Sequence, residues 1–130
     1  MNWTVQHIET ILWVTGLFTA SVGLMALAPT LGLRIMFKEE RPSPLLVFVF
    51  RHWAVVVASL GALLILAANQ PELRTPVIIA AGIEKAILVL MVLSNLRSTD
   101  FAKWALPAAI VDTVCVAMYV MYLLGTQPVA

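Results

Sequence analysis

VFVFRHWAVVVASLGALLIL, residues 47–66, is apolar enough to lie in hydrocarbon, yet it carries Arg51 and His52 side by side. About 20 helical residues cross a hydrocarbon layer of roughly 30 Å, so the stretch reads as a membrane span. A span that keeps an arginine must find a partner for it. Three further stretches of similar length and character can be cut from the chain, giving expected spans at about residues 8–28, 45–68, 77–96 and 104–124.

Little is left between them. The longest break, PTLGLRIMFKEERPSP from Pro29 to Pro44, is too short to enclose a core of its own. Residues 1–130 therefore read as a single transmembrane domain, all-α, an integral membrane antiparallel four-helix bundle in which short connections make sequential helices neighbours. Composition points the same way: 62% of the residues are apolar and 12% charged, with a mean hydropathy of +0.97, whereas a soluble domain is about 25% charged. Any chemistry belongs inside the bilayer or at its edge.

Proline marks the boundaries, because its missing N–H is tolerated in a break or a first helical turn and not in mid-span. Pro29, Pro42, Pro44, Pro71, Pro76, Pro107 and Pro128 all obey this. NQPELRTP (69–76) and NLRSTDFAKW (95–104) read as tight turns, the second with Ser98, Thr99 or Asp100 as a cap leading into the last span. LRIMFKEER (33–41) sets apolar residues beside charges and reads either as a segment lying along the interface or as an ordinary loop.

The basic residues set the orientation. Arg34, Lys38 and Arg41 in the first break and Arg97 and Lys103 in the third face a single Arg74 in the second, and the tails hold none. Both termini are expected outside, periplasmic if the membrane is a bacterial inner membrane. Trp3, Tyr119 and Tyr122 would form an aromatic belt at one face and Trp104 at the other. MNWTVQHIET has no basic residue ahead of the apolar run, unlike a cleavable signal peptide, so the first span is expected to stay. A net charge of +1 without a basic stripe gives no reason to expect nucleic acid.

Depth along each span, at about 1.5 Å per residue, places Arg51, His52, Glu84, Lys85 and Asp112 in one slab near the middle. Each charged residue facing lipid there costs about 2.5 to 3.5 kcal/mol, so these groups should turn inward and neutralise one another. Small residues share their stripes: Ala54, Ala58, Gly61 and Ala62 with Arg51, Ala80 and Ala81 with Glu84, and Ala105, Ala108 and Ala109 with Asp112. Span one offers Gly16, Thr19, Ala20 and Gly23. Small seams let helix backbones approach closely. The expected arrangement has Arg51 reaching across to Asp112, Glu84 or both, since its planar fork suits carboxylates. Lys85 pairs locally with Glu84 or extends to the nearer interface.

Arg51, His52, Glu84, Lys85 and Asp112 are thus the candidate binding residues, and His52, Glu84 and Asp112 the candidates for acid–base catalysis. The bland reading is a polar clasp that fixes helix register. The functional one is a polar pocket in an apolar bundle, in a protein that acts as an accessory or assembly subunit or as a lipophile-binding module. Two alternatives are a membrane-embedded enzyme, an isomerase or oxidoreductase acting on a sterol, quinone or isoprenoid, and a small dimeric transporter. The partners implied are the lipid bilayer, a lipophilic small molecule, and a membrane protein or a second copy of the chain. His7 and His52 lack a further histidine or cysteine at ligand spacing, so no metal is implied; nothing selects a cofactor. Trp53, Met91, Met118, Met121 and Cys115 read as packing.

FRHWAVVVASLGALLIL (50–66) followed by RTPVIIAAGIEKAILVLMVL (74–93), together with the chain's size, resembles small bacterial four-helix membrane proteins of the DoxX-like type. The resemblance covers spans two to four. It implies a four-helix bundle and a bacterial membrane location and brings no catalytic residue with it, because the arginine of those proteins often sits in a different span.

Overall fold

The computed structural model describes residues 2–126; Pro128 lies outside them. In chain order the helices are α1 (Trp3–Gln6), α2 (Ile8–Ser21), α3 (Leu24–Leu27), α4 (Pro29–Phe37), α5 (Pro44–Asn69), α6 (Arg74–Asn95), α7 (Asp100–Trp104) and α8 (Leu106–Gly125), with a 3₁₀ turn at Pro71–Leu73 before α6. No strand occurs among the described residues. Four segments are long and apolar enough to cross a membrane: Ile8–Leu27, Pro44–Asn69, Pro71–Asn95 and Leu106–Gly125.

The first segment is not a single helix. Val22, Gly23, Met25 and Ala26 each donate to the carbonyl three residues earlier, a tightening of the helix at its exposed end. The chain then breaks at Ala28 (φ −138°, ψ 70°), where Pro29 restarts it as α4. LRIMFKEER is therefore largely helix. It stops at Lys38, which takes the left-handed conformation (φ 57°) while its N–H and that of Glu39 satisfy the last carbonyls. Ser43 caps α5 through a bond from Leu46 N–H, with Pro44 at the first helical position. Thr99 precedes α7 but makes no side-chain cap; its hydroxyl donates back to Asn95 O instead.

Packing is tightest in two pairs, α2 against α5 and α6 against α8, which α5 and α6 join together. The α2/α5 seam is made of the small residues of both helices: a Cβ placed on Gly23 would strike Ala58 Cβ at 2.7 Å, and one on Gly61 would strike Ala20 Cα at 2.7 Å. Two apolar clusters fill the interior. One collects Leu12, Leu64, Ile78, Ala81, Cys115 and Tyr119, and the other Val92, Ala105 and Ala109 with Phe37 packed on them. The outside is apolar too, with Leu27, Leu45 and Phe48 each more than 70% exposed. Surface of that kind along all four long segments suits hydrocarbon rather than water.

Candidate functional site

Lys85 and Asp112 lie between the two apolar clusters. On α6, Lys85 follows Ala81 of the first cluster and precedes Val92 of the second; on α8, Asp112 lies between Ala109 and Cys115. The ammonium donates to Asp112 Oδ1 at 3.1 Å, with both side chains buried. Glu84 Oε2 stands 4.0 Å from the same nitrogen, close enough for attraction and too far for a hydrogen bond. The expected cation is therefore replaced. It is Lys85 that crosses from one helix to another.

Arg51 does something different. Its side chain is exposed, and its Nε donates to Ala26 O at 3.1 Å. That carbonyl belongs to the last turn before the break at Ala28, where no continuing helix supplies its usual N–H partner. A cation near a helix C-terminus also meets the negative end of the helix dipole. Arg51 thus caps the first segment across the interhelical contact, which is a physical reason for an arginine so far into α5. Arg74 repeats the device, with bonds to Ala67 O (3.2 Å) and Ala68 O (2.9 Å) at the end of α5 and a further bond to Glu9 (3.2 Å). His52, one residue on from Arg51, is exposed and does not line the space at the lysine. Arg51→Met is expected to fray the end of the first segment without unfolding the rest. Faster amide exchange confined to residues 22–28 would be the signature, and equally fast exchange throughout α6 would contradict it.

The aromatic belt is corrected as well. Trp3 and Trp104 are exposed, but Tyr119 is 1% exposed and Tyr122 8%. Tyr119 can be buried because its hydroxyl donates to Thr15 Oγ1 at 2.7 Å and Thr15 in turn donates to Ile11 O. At the other end, Lys38 lies 4.9 Å above the Trp104 ring, and Phe37 meets Phe50 and Phe101 edge-on, which straps α4 over α5 and α7.

A chamber of about 50 Å³ opens at the lysine, with Thr19, Trp53, Glu84, Lys85 and Asp112 on its wall. Sequence reading passed over Thr19 as a small seam residue. Thr15 and Thr113 each bond the carbonyl four residues before them, whereas Thr19, 2% exposed, makes no such bond. Its Oγ1 and Glu84 Oε2 are the buried side-chain polar atoms without a hydrogen-bond partner among the described residues. Both belong to residues lining this chamber. Buried polar groups are nearly always bonded, so two orphans at one cavity mark it as a place for a polar guest.

A larger groove of about 280 Å³ adjoins it, lined by Ile35, Trp104, Ala105, Pro107 and Val111. Phe18, Met36 and Ala108 line both spaces. The groove's side chains are aliphatic or aromatic, with the Met36 thioether and the Trp104 indole the only heteroatoms among them, and none of them is charged. Among the described residues no group of three or more His, Cys, Asp or Glu side chains is placed to hold a metal ion. The chain matches no family model, no curated protein and no solved structure.

Proposed function

We propose that the chain is an integral membrane antiparallel four-helix bundle that binds a lipophilic small molecule, with the tail in the groove and the polar end in the chamber. One observation carries this: the apolar groove and the polar chamber share Phe18, Met36 and Ala108, so a single amphiphile can occupy both. The groove lies just under the usual range of about 300 to 1,000 Å³ for ligand pockets, which favours one isoprenoid-like or acyl chain over a fused-ring sterol. The resemblance to DoxX-like proteins and the charge bias of the breaks support a reading in which it lies in a bacterial inner membrane with both termini periplasmic.

Ala108→Phe tests the reading, since a ring at that position fills the wall common to both spaces. Native mass spectrometry from mild detergent is expected to find a retained lipophile on the unaltered chain and none on Ala108→Phe. Ile110→Phe, at a position 58% exposed, is the control and should keep it. Equal retention by all three would remove the groove from the argument. Periplasmic termini predict activity for a C-terminal fusion to a reporter that folds only outside the cytoplasm.

A second reading, an assembly subunit, draws on a separate feature. Arg51 and His52 both lie on the exposed surface of an apolar helix, where a neighbouring membrane protein or a second copy would relieve the cost of facing lipid. His52→Leu would then change which proteins copurify while leaving lipophile retention intact.

A further inference from the structure

We infer that the chamber reads the head of the bound lipophile and takes a neutral hydroxyl in preference to a carboxylate or an ammonium, an inference that rests on the lipophile-binding reading above. The two buried atoms awaiting a partner are a threonine hydroxyl and a carboxylate oxygen, Thr19 Oγ1 and Glu84 Oε2. An alcohol is their complement. Its O–H donates to Glu84, and its oxygen accepts from the Thr19 hydroxyl, so one small group satisfies both.

Charge decides against the alternatives. With both carboxylates ionised, Glu84 and Asp112 outweigh Lys85 by one negative charge. An incoming carboxylate meets that excess, and the one ammonium present is already bonded to Asp112 at 3.1 Å. A primary ammonium suits the net charge but not the neighbourhood. Seated on Glu84 Oε2, it would stand beside Lys85 Nζ, itself 4.0 Å from that oxygen, and two cations at such separation repel strongly in a poorly screened interior. Size permits the alcohol: a chamber of about 50 Å³ has room for a hydroxyl and the carbon that bears it.

Trp53 lines the chamber and Trp104 the groove, so the site carries its own reporters. With Trp3 and Trp13 changed to Phe, the full chain in mild detergent would be titrated with an ω-brominated medium-chain alcohol, the matching carboxylic acid and the matching amine, and quenching of Trp53 and Trp104 followed. The alcohol is expected to bind at least about tenfold more tightly than either analogue, the scale set by leaving one buried polar group unpaired. Thr19→Val should remove most of that preference while leaving the affinity of the acid unchanged; Thr19→Ser, which keeps the hydroxyl, should preserve it and guards against a folding defect in the valine variant. Equal quenching by all three heads overturns the selection of a hydroxyl and leaves the groove standing. Tighter binding of the acid or the amine also overturns it. Quenching by none of them overturns the lipophile reading itself.

Discussion

Lys85→Met is expected to cost the protein a large share of its stability. The lysine is 3% exposed and, among the described residues, supplies the only cationic donor on the chamber wall. Removing it leaves Asp112, whose side chain is 9% exposed, facing Glu84 across a space that offers no other charged group, its remaining wall being Thr19 and largely apolar side chains. Breaking a buried pair by deleting one partner costs about 3 to 5 kcal/mol, against a total of about 5 to 15 kcal/mol for a typical domain. Little folded protein should then be extractable in mild detergent. The double variant Lys85→Met with Asp112→Leu should recover much of the loss, because replacing both members by apolar groups avoids the stranded charge. The comparison separates two roles. If the pair is only a clasp, the double variant should also retain its lipophile; if the chamber holds the polar head, the double variant should be stable and depleted of it. A single Lys85→Met protein as stable as the unaltered chain would show that the ion pair holds nothing.

How far the sequence reached is seen in these same residues. Spans were legible because about 20 apolar residues in a row admit few other structures, and the ends were legible because proline is tolerated in a first helical turn and not in mid-span; the cap expected at Ser98, Thr99 or Asp100 did not form through Thr99, whose hydroxyl turns back to Asn95 O. The small seams were legible too: Gly16, Ala20 and Gly23 of the first segment and Ala58 and Gly61 of α5 do meet. The partner of each charge was not. Neighbours on one helix, such as Glu84 and Lys85, differ by a rotation of about 100°, and an error of one position moves a side chain from the interior to the surface. Lys85 shares the spacing of Ile78, Ala81 and Val92, all of them buried, and those steps of three, four and seven along one helix face were the available signal. Arg51 escaped for another reason. Its acceptor, Ala26 O, exists only because the chain breaks at Ala28, a tertiary event with no mark in the sequence of α5. Thr19 was hidden for the same reason, since only coordinates distinguish a threonine bonded to its own helix from one turned to a cavity.

Gly61→Val is expected to pry the molecule open at the α2/α5 seam. A Cβ at position 61 would meet Ala20 Cα and Gly16 O, each at 2.7 Å, and both are backbone atoms that no rotamer change can move aside. Even Gly61→Ala should therefore destabilise, although alanine is favoured over glycine within a helix by about 1 kcal/mol. The opposing term is larger, since overpacking costs about 1 to 3 kcal/mol and more where backbones must part, and valine adds two further methyl groups. Gly82→Ala is the matched control. Its nearest neighbour would be Tyr119 Cδ2 at 3.9 Å, an ordinary contact, so there the helix preference should prevail and stability hold or rise. Thermal unfolding in detergent would rank the three, with Gly61→Val lowest and Gly82→Ala highest; the reverse order for the two alanine variants would refute the close seam. The same wedge reaches the site. Ala20 adjoins Thr19, so separating α2 from α5 carries the Thr19 hydroxyl away from Glu84 and Asp112 on the facing helices. Gly61→Ala protein that survives purification should therefore lose lipophile retention before it loses its helical signal, because the chamber depends on the spacing of the two helix pairs while each helix depends only on its own backbone bonds.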